Sequence, residues 1–303
     1  MIIALIENIR EICNHPWKKE LIFEDQVKWN KLWTSLDTID DTQRAINTYL
    51  NLPEFRNSTE GYLYVYGVMQ ALNIQQDSLN NLLYALFSKK INWEKEYPKL
   101  YEIREHRNNS VGHPTNRGND KSFHLIGRMS LSKESFTLSS YFPKTGKQSK
   151  FEEINILKCI EIQANLIPNV LKETMIALEK EFIVHKEKFK DDRLSDLIPS
   201  TIDYHFQKLY DSRISMVSIN FELIKESYYR LMTGIKSRYY SVSALSGVEI
   251  ASNKIDYLLD RLNKDLIDDP VDDEIQTSIF IEALKKYFKE LQEMVAEIDK
   301  DFE

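Results

Sequence analysis

An arginine, an amide and a histidine stand within seven residues of one another in the polar stretch Tyr101-Glu-Ile-Arg-Glu-His-Arg-Asn-Asn-Ser-Val-Gly-His-Pro-Thr-Asn-Arg117. Arg107 brings a permanent planar cation shaped for phosphate, and Asn108 an amide that both donates and accepts. His113 is of the residue type whose ordinary pKa lies near neutrality, so it can take or give a proton at cellular pH. That set suits phosphodiester chemistry run by proton transfer and charge stabilisation, with no metal demanded. The same residues have a plainer reading. A histidine near a helix end often bonds the last carbonyls and is favoured by the negative end of the helix dipole.

The elements around this stretch must position it. Pro98 starts a helix where its missing N–H costs nothing, with Leu100, Ile103 and Arg107 along one side. On a straight helix six residues turn through about 600°, which leaves Arg107 and His113 about 120° apart, so spacing alone does not join them. The helix must therefore end: Gly112 suits a C-terminal cap, Pro114 forbids continuation, and His113 is expected just past the last turn, folded back toward the Arg107 face. Asn109 and Ser110 fill that last turn. Arg104 and His106 on the helix, with Asn116 and Arg117 on the following loop, are candidate substrate contacts. The loop pair serves equally well to bond carbonyls.

Upstream, Asn57-Ser58-Thr59-Glu60 is a capping-type start for a buried helix of about 30 residues with Val65, Met69, Leu72, Gln76, Leu79, Leu83 and Leu86 at alternating spacings of four and three. Tyr62, Tyr64 and Tyr66 point in different directions on it, so they read as packing rather than a base-stacking platform. Gln76, set in the apolar stripe, reads as a satisfied polar contact that fixes register. Downstream the period changes to alternation. Ser122–Leu131 and Ser135–Phe142 predict a hairpin across Lys133-Glu134, with Phe123, Leu125, Phe136 and Leu138 facing inward. A helix is then expected from Phe151 to about Lys190, kinked at Pro168.

The run Arg107-Asn108-X-X-Val111-Gly112-His113-Pro114-Thr115-Asn116-Arg117, preceded by a long helix, resembles the Arg-X4-6-His signature of HEPN proteins over about residues 58–190. That resemblance implies a helical bundle and, in many members, a metal-independent endoribonuclease in which the 2′-hydroxyl attacks the adjacent phosphorus to leave a 2′,3′-cyclic phosphate. It assigns Arg107, Asn108 and His113 as catalytic residues and implies that two domains pair to complete one site. With one motif in the chain, a homodimer is expected. It also implies a toxin or antiviral-defence effector, with tRNA or another structured RNA as substrate and an antitoxin or defence-system partner. Some HEPN toxins carry a modified Tyr two residues after the histidine, where this chain has Thr115, which puts that form of control in doubt. Gly112 departs from members whose motif stays inside a regular helix.

Composition bounds the rest. The 303 residues are 42 % hydrophobic and 29 % charged, and only 8 Gly and 8 Pro leave little material for tight turns, so a mainly helical globular chain is expected. The expected plan is an N-terminal helical segment over 1–57, a HEPN-like core over 58–193 with its hairpin at 122–142, and a second all-α region over 194–303. Asp191–Asp196 marks the boundary. Helices are expected from Ser200-Thr201 to Tyr210, over Ile214–Lys236, over Ala244–Leu262, and from Asp269-Pro270 through Ile298. The acids at Asp268, Asp269, Asp272, Asp273 and Glu274 lack calcium-loop spacing and read as a favourable helix start. Cys13 and Cys159 form no metal-ligand cluster. No cofactor, metal, targeting segment or membrane span is expected, because no apolar run approaches about 18 residues, and a reducing cytoplasm is the expected compartment.

A net charge of −7 argues against a broad basic surface that coats nucleic acid. Between Tyr101 and Ser130, however, five Arg or Lys stand against three acids. A small positive island fits an enzyme that engages a few phosphates. The competing class is a binding module that holds a nucleotide or RNA phosphate without cutting it, and a third is a helical structural protein whose motif is only a capped helix end.

Overall fold

The computed structural model describes residues 1–144, 147–210, 214–268 and 274–303. They divide into two compact units, Met1–Cys13 with Ile22–Leu178, and Asn14–Leu21 with Glu179–Glu303. Both are mainly helical. The division therefore falls at Leu178, upstream of the charged stretch Asp191–Asp196 where composition places it.

In the first unit α1 (Ile2–Asn14) buries Ile2, Leu5, Ile6, Ile9 and Cys13, a spacing of three and four that lays one apolar stripe on the core. Most of α2 (Pro16–Phe23) belongs to the second unit. Asp25 caps α3 (Gln26–Leu50) by accepting from the N–H groups of Val27 and Lys28 at 3.0 and 3.1 Å. One continuous helix forms here. Asp40 and Asp41 do not interrupt it, because Asp40 pairs one turn on with Arg44 at 3.1 Å while Ile39, Thr42 and Ile46 carry the buried stripe past them.

The long helix α4 (Ser58–Phe87) starts as its sequence predicts: Asn57 accepts from the Glu60 N–H at 3.0 Å, and the Glu60 carboxylate accepts from the Arg56 N–H at 2.7 Å. Gln76 is fully buried on it and donates to the Leu100 carbonyl at 3.3 Å and to Gln163 at 2.8 Å. Gln163 in turn donates to the Leu72 carbonyl at 3.1 Å and to Gln75 at 2.9 Å. These buried amides fix the register of α4 against α6 (Pro98–Arg107) and α7 (Ile156–Phe189). A single turn, α5 (Trp93–Glu96), joins α4 to α6.

Between α6 and α7 lies a three-stranded antiparallel sheet, β1 (Phe123–Ile126), β2 (Ser135–Tyr141) and β3 (Lys150–Asn155), in the order β1-β2-β3. The expected hairpin is thus part of a larger sheet with two corrections. First, the inward residues of β1 are His124 and Ile126, while Leu125 is 50 % exposed, because Ile126 pairs Leu138 and His124 pairs Ser140 on the buried face. Second, residues 150–155 form β3 rather than the start of a helix, since Ile154 lies beside Phe136 in the core and α7 begins only at Ile156. Helix α7 continues through Pro168.

In the second unit α8 (Ile202–Lys208), α9 (Ile214–Tyr239), α10 (Ser246–Asn263) and α11 (Glu274–Asp301) enclose Phe221, Ile224, Leu231, Ile255, Leu284, Phe288 and Leu291. The predicted helix start at Asp269–Asp273 lies outside the described residues. Arg238, 1 % exposed, pairs with Asp299 at 2.9 Å between the rings of Phe189 and Phe302. Burial opposes ionisation of Asp299, but bonds from the Ser195 hydroxyl, the backbone N–H groups of Ser195 and Leu194, and Arg238 outweigh it and hold the carboxyl below its ordinary range.

Candidate functional site

Helix α6 ends by widening. Residues Asn108–Gly112 form one π turn, closed where the His113 N–H donates to the Asn108 carbonyl at 2.8 Å, five residues back. Such turns are rare and concentrate at functional sites. Ser110, 2 % exposed, helps to hold it by donating its hydroxyl to the His106 carbonyl at 2.7 Å. The helix therefore stops at the residues expected, through a wider turn than a glycine cap.

Arg107 is half-buried and clasped from two sides. Its Nε and Nη2 both donate to Gln70 Oε1 on α4, at 2.8 and 2.7 Å, and its Nη1 donates to Asn108 Oδ1 at 2.9 Å. A guanidinium carries five N–H donors, so two remain for a ligand. The group lies so close over Gly112 that a Cβ there would meet Nη1 at 2.6 Å and Cζ at 3.1 Å. Glycine at 112 is thus a clearance for Arg107. His113 follows directly, exposed, with no side-chain hydrogen bond or ion pair among the described residues. It is not spent on capping carbonyls.

The outer candidates separate from this pair. Arg104 donates to Asp77 at 2.7 Å and lies over the Trp93 ring. His106 turns to another side of α6, into a cavity of about 200 Å³ lined by Glu102, Glu152, Lys158 and Cys159. Burial pushes its pKa below the ordinary histidine range, partly offset by Glu102 at 3.7 Å. Burial, with Glu102, also pushes the Cys159 thiol up to about 11. Arg117 folds back onto α6, with Nη2 within 2.6 Å of both Glu105 oxygens and Nη1 on Asn109. Asn116 accepts from the Asp120 N–H at 2.9 Å, closing a turn in which Gly118, Asn119 and Asp120 are all left-handed. These last two shape the loop, Arg117 through a single nitrogen shared between both oxygens of the Glu105 carboxylate.

Three residues escape a reading of the sequence: Gln70, which aims Arg107, and Glu105 and Asn109, which anchor Arg117. No spacing rule marks them, because their partners lie on other elements. The loop also ties the sheet to the site. The His124 N–H donates to the Pro114 carbonyl at 2.7 Å, and Arg117 and Ser122 bridge each other. The His124 ring is held between Ser140 and Ser122 at 2.8 and 2.9 Å, and burial, with Arg117 nearby, lowers its pKa. Among the described residues no group of three or more His, Cys, Asp or Glu is arranged to hold a metal ion, and no helix is long and apolar enough to cross a membrane. No protein-family model, curated protein or solved structure matches the chain.

Proposed function

We propose that the chain is a metal-independent endoribonuclease of HEPN type. The observation that carries this reading is a clasped guanidinium with two donors still open at the end of α6, followed after one π turn by an exposed histidine whose ring has no hydrogen bond among the described residues. In the reaction His113 takes the proton from a ribose 2′-hydroxyl, the oxygen attacks the neighbouring phosphorus, and the P–O5′ bond breaks. Arg107 stabilises charge on the phosphorane-like transition state, and Asn108 holds Arg107. The leaving 5′ oxygen needs a proton from the opposite side of phosphorus, which one histidine cannot supply. A second copy of the chain supplies it, so the active form is a homodimer. The resemblance of the motif to the HEPN signature is what supports a role as a toxin or phage-defence effector acting on tRNA or other RNA in the cytoplasm.

A second reading is a non-catalytic nucleotide- or RNA-binding module, favoured by the engagement of three Arg107 donors within the protein. Expression of wild type and of His113→Ala in bacteria, with mapping of RNA ends, separates the two. Wild type is expected to arrest growth, to cut RNA in the presence of EDTA and to leave 2′,3′-cyclic phosphate ends. Arg107→Ala and His113→Ala are each expected to lose cleavage by at least about a hundredfold at unchanged Tm. Growth unaffected by wild type, with purified protein inert on total RNA, would give the binding module the stronger claim.

A further inference from the structure

Trp17 on α2 stacks on His185 of α7, with ring centroids 4.7 Å apart and planes 11° from parallel. Both residues belong to the second unit, and both line one cavity of about 680 Å³. Trp17 is 4 % exposed and His185 8 %, yet the indole Nε1 and the imidazole Nε2 are buried with no hydrogen-bond partner among the described residues. Buried polar atoms are nearly always bonded, so two orphans on neighbouring rings of one cavity wall mark a place where something else bonds. The indole N–H can only donate, which requires an acceptor on whatever fills the space, while the imidazole nitrogen takes either role.

The rest of the wall narrows the choice. Along α7 a spacing of i, i+1, i+4, i+5 and i+8 puts Lys180, Glu181, Val184, His185 and Lys188 on one face. Glu181 is already engaged by Lys18 of α2. Lys180 and Lys188 have no ion pair among the described residues, so the cavity keeps a positive charge. Burial lowers the His185 pKa and the Lys188 charge adds to it, which places that ammonium near the orphaned ring. Leu21, Val184 and Tyr240 make the apolar part. Tyr240 follows α9 with φ at 63°, the left-handed conformation that glycine usually supplies at a helix end, and its ring is 49 % exposed.

The geometry points to a binding site for a small aromatic acid, its ring against Leu21, Val184 and Tyr240 and a carboxylate oxygen accepting from Trp17 Nε1 in the field of Lys180 and Lys188. The volume suits one small molecule. A bare inorganic anion would leave the apolar wall unused, and an organic cation would meet two unpaired ammonium groups with the one carboxylate already taken. All the residues lie in the second unit, so the site holds whether or not the chain cuts RNA.

The test uses the full chain labelled with ¹⁵N. Its four tryptophans give four indole N–H signals, and Trp17→Phe identifies the one from Trp17. Where that variant does not fold, Trp29→Phe, Trp33→Phe and Trp93→Phe identify it by elimination. Titration with 1-naphthylacetate is expected to move the Trp17 signal to saturation and to leave the other three in place. Naphthylmethylammonium, the same ring with the opposite charge, and acetate, the head without the ring, are expected to bind at least about tenfold more weakly. Lys180→Gln and Lys188→Gln are each expected to weaken 1-naphthylacetate about threefold to tenfold at unchanged Tm. A Trp17 signal that does not move, or four signals that move together, overturns the site. Equal binding of the ammonium or of acetate, or affinity indifferent to both lysine variants, overturns its assignment to an aromatic acid.

Discussion

Gln70 gathers two N–H groups of Arg107 on one carbonyl oxygen, which fixes the plane of the guanidinium as well as its position. A point contact would leave it free to swing. Gln70→Ala removes that hold without touching the histidine, so Gln70 is a positioning residue. Its loss should cut the cleavage rate by about tenfold to a hundredfold, as displacement of a reacting group by about an ångström does. The fall should appear in kcat more than KM, and the shape of the pH–rate profile should not change, because His113 is untouched. An altered pH profile, or full activity, would show that Gln70 does not act through Arg107. Arg107, Asn108 and His113 stand out in the sequence because their types do chemistry at short range. Gln70 does not, since Val68-Met-Gln-Ala-Leu72 offers a glutamine on a helix and nothing local says what it will meet.

At the scale of elements the π turn Asn108–Gly112 sets how closely Arg107 can lie over the chain. Gly112→Ala puts a methyl carbon 2.6 Å from Arg107 Nη1. The cheap response is for the flexible guanidinium to move off Gln70, so stability should fall by no more than about 1 kcal/mol while cleavage drops about tenfold or more. Thermal melting beside an activity assay checks this, and a well-folded, fully active variant would contradict it. Helix α4 was legible from its apolar stripe and its Asn57–Glu60 start, since both signals lie within the element. Strand β3 was not, because Phe151 and Ile154 fit a helical stripe as well as an alternation, and only pairing with β2 decides. The same dependence on a distant partner reversed the face of β1, where Ser140 on β2 gives the His124 ring a partner on the buried face that its own strand does not contain.

Over the whole molecule, four of the six histidines, His15, His106, His124 and His185, have pKa values lowered chiefly by burial. Unfolded, each would protonate near its ordinary value of about 6.5. The unfolded chain then binds more protons than the folded one as pH drops below that value, so stability rises with pH across this window and is lost as pH falls through it. Asp299, held below its ordinary range, adds a further loss at lower pH as it protonates. Tm should therefore decline from neutral pH to mildly acid pH, each kcal/mol lost shifting it by roughly 2–4 °C for units of this size. A flat Tm from pH 7.5 to 5.5 would show that these rings gain protons as easily folded as unfolded. The interleaving of the two units bears on a different process, the order in which the chain is made. Lys18 meets Glu181, 163 residues later, and Trp17 stacks on Phe182 and His185. At about 5–20 residues per second of synthesis, Asn14–Leu21 wait roughly ten to thirty seconds on the ribosome for their partners to emerge. During that interval Trp17 is exposed on a nascent chain whose next helix, α3, already has its partner in α4. A nascent-chain chaperone therefore has its longest access to this molecule at Trp17.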